Sequence, residues 1–124
     1  MSNFQFLFSE EDKPDLEWDD WALEWIVRQP LEFKWRGVKY VVPVGFRTDL
    51  ATIPRFFQRM FPKNGKHVYP SIVHDFAYEN GMAGMTKEDA DLMFFEAMKA
   101  RRVSWLTRNL FYAAVTVGGH GKWG

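Results

Sequence analysis

The residues of this sequence best able to do chemistry together are His74, Asp75, Tyr78 and Asp91. Positions 91, 94, 95 and 98 fall on one helical stripe, and the other three are Phe94, Phe95 and Met98. That stripe sets a carboxylate beside a buried face, where an unpaired charge is costly, so Asp91 requires a donor. The preceding predicted helix carries His74, and an antiparallel helix pair brings mid-helix residues face to face. An aspartate bonded to one ring nitrogen fixes the imidazole tautomer and leaves the other nitrogen as a general base. Asp75 projects about 100° away around the helix. It can look toward the loop containing Gly45, Thr48 and Asp49, where backbone carbonyls and a carboxylate are oxygen ligands of the kind calcium takes. Tyr78, four residues past His74, either hydrogen-bonds within the group or packs against it.

The same residues also admit structural roles. Asp91 could form an ion pair with Arg55, Arg101 or Arg102, and Asp49 could cap a short helix. Lys99, Arg101, Arg102 and Arg108 surround Trp105 in a cluster able to touch phosphates, but cations are also the ordinary decoration of a helix end. His67 and His120 have no second ligand at metal spacing.

The elements that must position these side chains read as an α+β fold. A strand is expected at 4–8, then an acidic loop at 9–20 and a second strand at 21–29 closed by Pro30. Leu31-Glu-Phe-Lys-Trp35 and Val38-Lys-Tyr-Val-Val42 flank Arg36-Gly37 as a hairpin, which completes a small antiparallel sheet. Beyond Pro43 the spacing predicts helices near 53–60, 70–80, 86–100 and 104–117. Thr86-Lys-Glu-Asp89 resembles a capping box, and Ser104 caps the last helix. The whole reads as a single domain over 1–124, mainly β over 1–44 and mainly α over 45–124. The core is expected to hold Trp25, Phe46, Ile72, Val73, Phe76, Phe94, Met98, Leu110 and Val115.

Composition bounds the function. Of 124 residues, 47% are apolar and 18% aromatic, enough for a real core. The absence of cysteine excludes disulfides, thiolate metal sites and a cysteine nucleophile. Sixteen basic residues balance sixteen acidic ones, so no specific attraction to nucleic acid is expected. The charge is unevenly spread, however: residues 1–32 hold nine carboxylates against Lys13 and Arg28, and the remainder carries the compensating positive charge. The first residues lack the basic flank and apolar run of a signal peptide, and no stretch is long enough for a transmembrane segment.

Three ordered motifs carry a resemblance. Val42-Pro-Val-Gly-Phe-Arg-Thr-Asp-Leu-Ala-Thr-Ile-Pro-Arg55, His74-Asp-Phe-Ala-Tyr78 and Ala90-Asp-Leu-Met-Phe-Phe-Glu-Ala-Met98 resemble the domain of unknown function 1353, over about residues 38–117. This is a family of small proteins found mostly in tailed bacteriophages and prophages. The resemblance implies a phage or prophage origin and a location in the host bacterial cytoplasm or in the virion.

The His-Asp pair, the following tyrosine and the aspartate before a Phe and Met stripe are also similar to the two-helix core of phospholipase A2. That likeness implies that His74 activates a water, that Asp75 holds calcium with loop carbonyls, and that Asp91 orients His74. The helix-linking cysteines and the glycine-rich calcium loop of that family are absent here. The function implied is hydrolysis of a lipid or related amphiphile ester. The alternatives are a non-catalytic virion, tail or assembly component, and an accessory protein that binds a phage or host partner through the acidic Trp-rich segment.

Overall fold

The computed structural model describes residues 3–8, 15–49, 68–80, 82 and 85–117. Among the described residues an N-terminal antiparallel β region is followed by three helices, the α+β class that the periodicity predicts. The helix expected at 53–60 lies outside the described residues. The chain divides into two compact units, Met1–Asp49 and Leu50–Gly124.

The described residues of the first unit form six strands: β1 (Phe4–Phe6), β2 (Leu16–Asp19), β3 (Glu24–Val27), β4 (Leu31–Trp35), β5 (Val38–Val42) and β6 (Arg47–Thr48). They form two three-stranded antiparallel sheets, ordered β1-β4-β5 and β2-β3-β6, where a single sheet was expected. β6 also carries the β region past residue 44. In the first sheet the alternation of β4 buries Leu31, Phe33 and Trp35 and turns Glu32 and Lys34 outward. Phe4 stacks on Phe33 with ring centroids 5.4 Å apart, and Tyr40, paired with Phe33, stacks on the other side at 5.5 Å. The β4–β5 hairpin forms where expected. Arg36 (φ 51°) and Gly37 (φ 81°) both take positive φ, the condition for a two-residue turn that follows the strand twist.

In the second sheet the strand predicted over 21–29 is confined to β3, and part of the predicted acidic loop is the strand β2. Asp19 accounts for both changes. Its carboxylate accepts the backbone N–H groups of Trp21 (3.0 Å) and Ala22 (3.1 Å), which closes a turn after β2. The same carboxylate accepts from Arg47 on β6 at 2.8 Å. Trp18 and Trp25 pair across the strands, with centroids 5.2 Å apart. An acidic segment thus pairs as a strand because its alternate residues, Leu16 and Trp18, are apolar, a period-2 signal that its overall polarity conceals.

The second unit holds α1 (Val68–Asn80), α2 (Lys87–Ala100) and α3 (Trp105–Val117). Thr86 caps α2, its side chain accepting the N–H of Asp89 at 3.1 Å, and Ser104 does the same for Thr107 at 3.3 Å before α3. Arg102, at φ 60°, ends α2 in a Schellman turn: Val103 N–H donates to the Met98 carbonyl and Arg102 N–H to the Lys99 carbonyl. Val103 is buried beneath it. α2 packs against both other helices, and its Met93, Phe94, Ala97 and Met98 are fully buried. The cluster around Trp105 is partly drawn onto rings, with Arg101 over Tyr69 and Arg108 over Phe95.

Of the expected core, Ile72, Val73, Phe94, Met98 and Val115 are buried, while Trp25, Phe46 and Phe76 are half-buried. Leu110 is a correction. It lies on the outer side of α3 and is 43% exposed, because Phe111 supplies the inward side chain of that turn. Replacing Phe94 with alanine is therefore expected to cost about 3–5 kcal/mol in urea unfolding, whereas Leu110→Ala should stay within about 0.5 kcal/mol of wild type.

Candidate functional site

Two helical spacings build the site. On α1, Tyr78 stands one turn after His74; on α2, Asp91 stands one turn after Lys87. When α1 and α2 pack, the two i,i+4 pairs converge on the Asp91 carboxylate. His74 Nε2 lies 2.7 Å from Asp91 Oδ1. Tyr78 donates its hydroxyl to the same oxygen at 3.3 Å, and Lys87 Nζ donates to Oδ2 at 2.7 Å. Lys87 also donates to the Val115 carbonyl at 3.1 Å, one of the carbonyls that the last turn of α3 leaves without an intrahelical partner. His74 is 0% exposed and Asp91 1%. The imidazole is enclosed by rings, with Tyr78 at 4.5 Å and Phe94 at 5.0 Å between centroids.

The electrostatics follow from this arrangement. Burial pushes the Asp91 carboxyl upward, but the hydrogen bonds and charges of His74 and Lys87 outweigh it and hold the group below its ordinary value of 3.8. Burial likewise works against the Lys87 ammonium, and the Asp91 carboxylate overrides it and raises Lys87 above 10.5. Burial and the adjacent Asp91 charge raise the Tyr78 phenol, which stays protonated as a donor. An ionised Asp91 has only acceptors to offer, so the proton of the 2.7 Å contact sits on His74 Nε2. Nε2 is thus the ring nitrogen committed to Asp91, and proton-transfer chemistry of the ring would fall to Nδ1.

The expected partnership of His74 with Asp91 is present, and Tyr78 joins it by a hydrogen bond. Of the arginines considered as alternatives, Arg101 lies over Tyr69 and Arg102 forms the α2 terminus, so neither is a partner of Asp91, and Arg55 lies outside the described residues. Lys87 is the functional residue the sequence reading missed. Its signal was the four-residue spacing to Asp91, masked because positions 86–89 read as a capping box.

Asp75 is buried on α1, while Gly45, Thr48 and Asp49 belong to the first unit, and residues 50–52 of the expected loop lie outside the described residues. Gly45 serves a turn there, with φ 91° and its N–H on the Val27 carbonyl at 2.7 Å. Thr48 is buried and Asp49 exposed. Among the described residues no group of three or more His, Asp or Glu side chains is placed to hold a metal. Among the described residues, too, no helix is long and apolar enough to cross a membrane.

The model of a family described as "Protein of unknown function (DUF1353)" matches residues 25–115, which include all four residues of the cluster. The chain belongs to the DUF1353 family. The match begins at Trp25, earlier than the resemblance at residue 38 implied, so β3 and β4 belong to the DUF1353 region together with all three helices. Among curated proteins, an "Uncharacterized protein y4jT" of Sinorhizobium fredii (strain NBRC 101917 / NGR234) is 32% identical over 85 residues, which is 66% of this chain and 25% of the relative. The chain thus spans about a quarter of the length of the curated relative it matches. No solved structure matches the chain.

The pH dependence of stability tests the cluster. Asp91 is depressed, so its contribution is fully present above the unfolded carboxylate value and is lost as pH falls through the lower folded value. Lys87 is raised, so its contribution is present below the unfolded amine value and is lost as pH rises through the higher folded value. The stability gap between wild type and Asp91→Asn is expected to be flat between about pH 5 and pH 9 and to close below about pH 4 in urea titrations. A gap independent of pH down to about pH 2 would show that Asp91 is not held as a carboxylate.

Proposed function

We propose that this chain is a small ester hydrolase of phospholipase A2 type, encoded by a bacteriophage or prophage, in which His74 is the general base. The reading rests on the 2.7 Å contact from His74 Nε2 to Asp91 Oδ1, with Asp91 itself steadied by Tyr78 and Lys87. In the reaction Nδ1 takes a proton from a water as its oxygen attacks the ester carbonyl. The Asp91 carboxylate stabilises the imidazolium that forms, and that proton passes to the departing alkoxide. Calcium assistance, with Asp75 as a carboxylate ligand, belongs to this proposal and would polarise the ester carbonyl. The substrate class is a lipid or similar amphiphile.

Full burial of His74 favours a second reading. A carboxylate with three donors, closed from solvent, also serves as a staple between helices, and the chain is then a non-catalytic virion, tail or assembly component, or an accessory protein. Its contact surface in that case is the turn after β2. Trp21 there is 96% exposed and Leu23 64%, with Leu23 at a positive φ of 57° and acidic residues on either side.

Hydrolysis assays on a panel of phospholipid and lysophospholipid esters, with and without calcium, separate the two. The hydrolase reading expects turnover by the wild type and a loss of about 10²–10⁴-fold in His74→Gln, the ordinary worth of a general base. The staple reading expects no turnover by either protein and a stability loss of roughly 1–3 kcal/mol in His74→Gln, from leaving a buried carboxylate short of a donor.

A further inference from the structure

The Asp91 carboxylate can serve His74 only if its plane is turned so that Oδ1 meets Nε2. Tyr78 does not set that rotation alone, because it shares Oδ1 at the longer distance of 3.3 Å. The second oxygen has one donor, Lys87 Nζ at 2.7 Å. Lysine is a poor anchor when its ammonium swings freely on a four-carbon stem. Here the swing is removed, since Nζ is also bonded to the Val115 carbonyl at 3.1 Å, on a different helix, and the side chain is only 34% exposed. The ammonium is therefore fixed between two acceptors, one on its own helix and one at the end of α3.

We propose that Lys87 is a positioning residue of this site: pinned by the Val115 carbonyl, it holds Asp91 Oδ2 and thereby keeps Oδ1 aligned on the His74 ring. The inference deepens the hydrolase reading and rests on it for its catalytic meaning. The alignment itself is a property of the resting protein and is measurable without any substrate. A merely structural Lys87, one that only ties α2 to α3, would affect stability and leave the His74 N–H untouched.

The test is nitrogen-15 NMR of the wild-type chain and of Lys87→Arg, Lys87→Met and Lys87→Gln at neutral pH, reading the His74 Nε2–H signal and its exchange with water. In wild type this proton is expected downfield and protected, as for a short bond to a carboxylate. Lys87→Met is expected to move it upfield and speed its exchange roughly tenfold, with rescue in Lys87→Arg, which keeps the charge and the donors. Lys87→Gln, which keeps a shorter neutral donor, replaces the methionine variant should that one not fold and is expected to show the same direction of change. An unmoved His74 signal in whichever neutral variant folds overturns the proposal, and so does a failure of arginine to rescue.

A second measurement needs no variant. The Lys87 Nζ resonance should be slow in exchange and distinct from those of surface lysines, and a signal indistinguishable from them overturns the proposal as well. Absence of esterase activity would end the hydrolase reading while leaving this alignment measurable, so the two fail separately.

Discussion

One ionised carboxylate among apolar side chains constrains the whole helical unit. Asp91 is on the buried stripe of α2 with Phe94 and Met98, and it can remain there only with its charge compensated and its lone pairs occupied. Its three donors come from two helices, His74 and Tyr78 on α1 and Lys87 on α2 itself. Sliding α1 along α2 by one turn would strip Asp91 of the two donors that α1 supplies, so the polar cluster favours one register of a helix pair whose apolar contacts alone would tolerate several. Because Lys87 also occupies the Val115 carbonyl, the last turn of α3 is bound to the same centre.

The β unit is organised around aromatic pairs and one carboxylate used differently. Asp19 is at the surface, and its worth is conformational: it closes the turn between β2 and β3 and receives Arg47 from β6. The acidic beginning and the basic remainder of the chain thus meet in at least one ion pair inside this unit. An exposed pair of this kind contributes little stability by itself. Its effect is to hold the turn that carries Trp21 and Leu23 outward, a conformation that a leucine at positive φ would not adopt unaided.

Membership in the DUF1353 family brings no chemistry with it, and a fold class never does. The geometry of the cluster carries the chemistry instead, and one arrangement suits two purposes. A histidine whose proton is fixed by a steadied aspartate is a prepared base, and the same enclosed network is a good staple. Burial and alignment pull the interpretation in opposite directions: alignment is what a catalyst requires, whereas closure excludes the water that it would activate.

Much of this was legible in the sequence. The helical stripe through Asp91, Phe94 and Met98 determined that a carboxylate would be buried and would need a donor, and the short connection between two helices nominated His74. Thr86 and Ser104 announced their caps, and Arg36-Gly37 announced the hairpin, because each depends on local backbone chemistry that a few residues carry in full. Other features were not local. That Leu16–Asp19 pairs as a strand depends on Trp25 and Arg47 being beside it, and the outward turn of Leu110 depends on Phe111 claiming the interior. The part of Lys87 could not be read from its spacing alone, since an i,i+4 lysine on a helix surface is ordinarily solvated. Only the approach of the Val115 carbonyl from another helix fixes its ammonium on Asp91, because a buried charge chooses its partners from whatever donors tertiary packing brings within hydrogen-bond reach, and periodicity in one helix carries no information about the end of another.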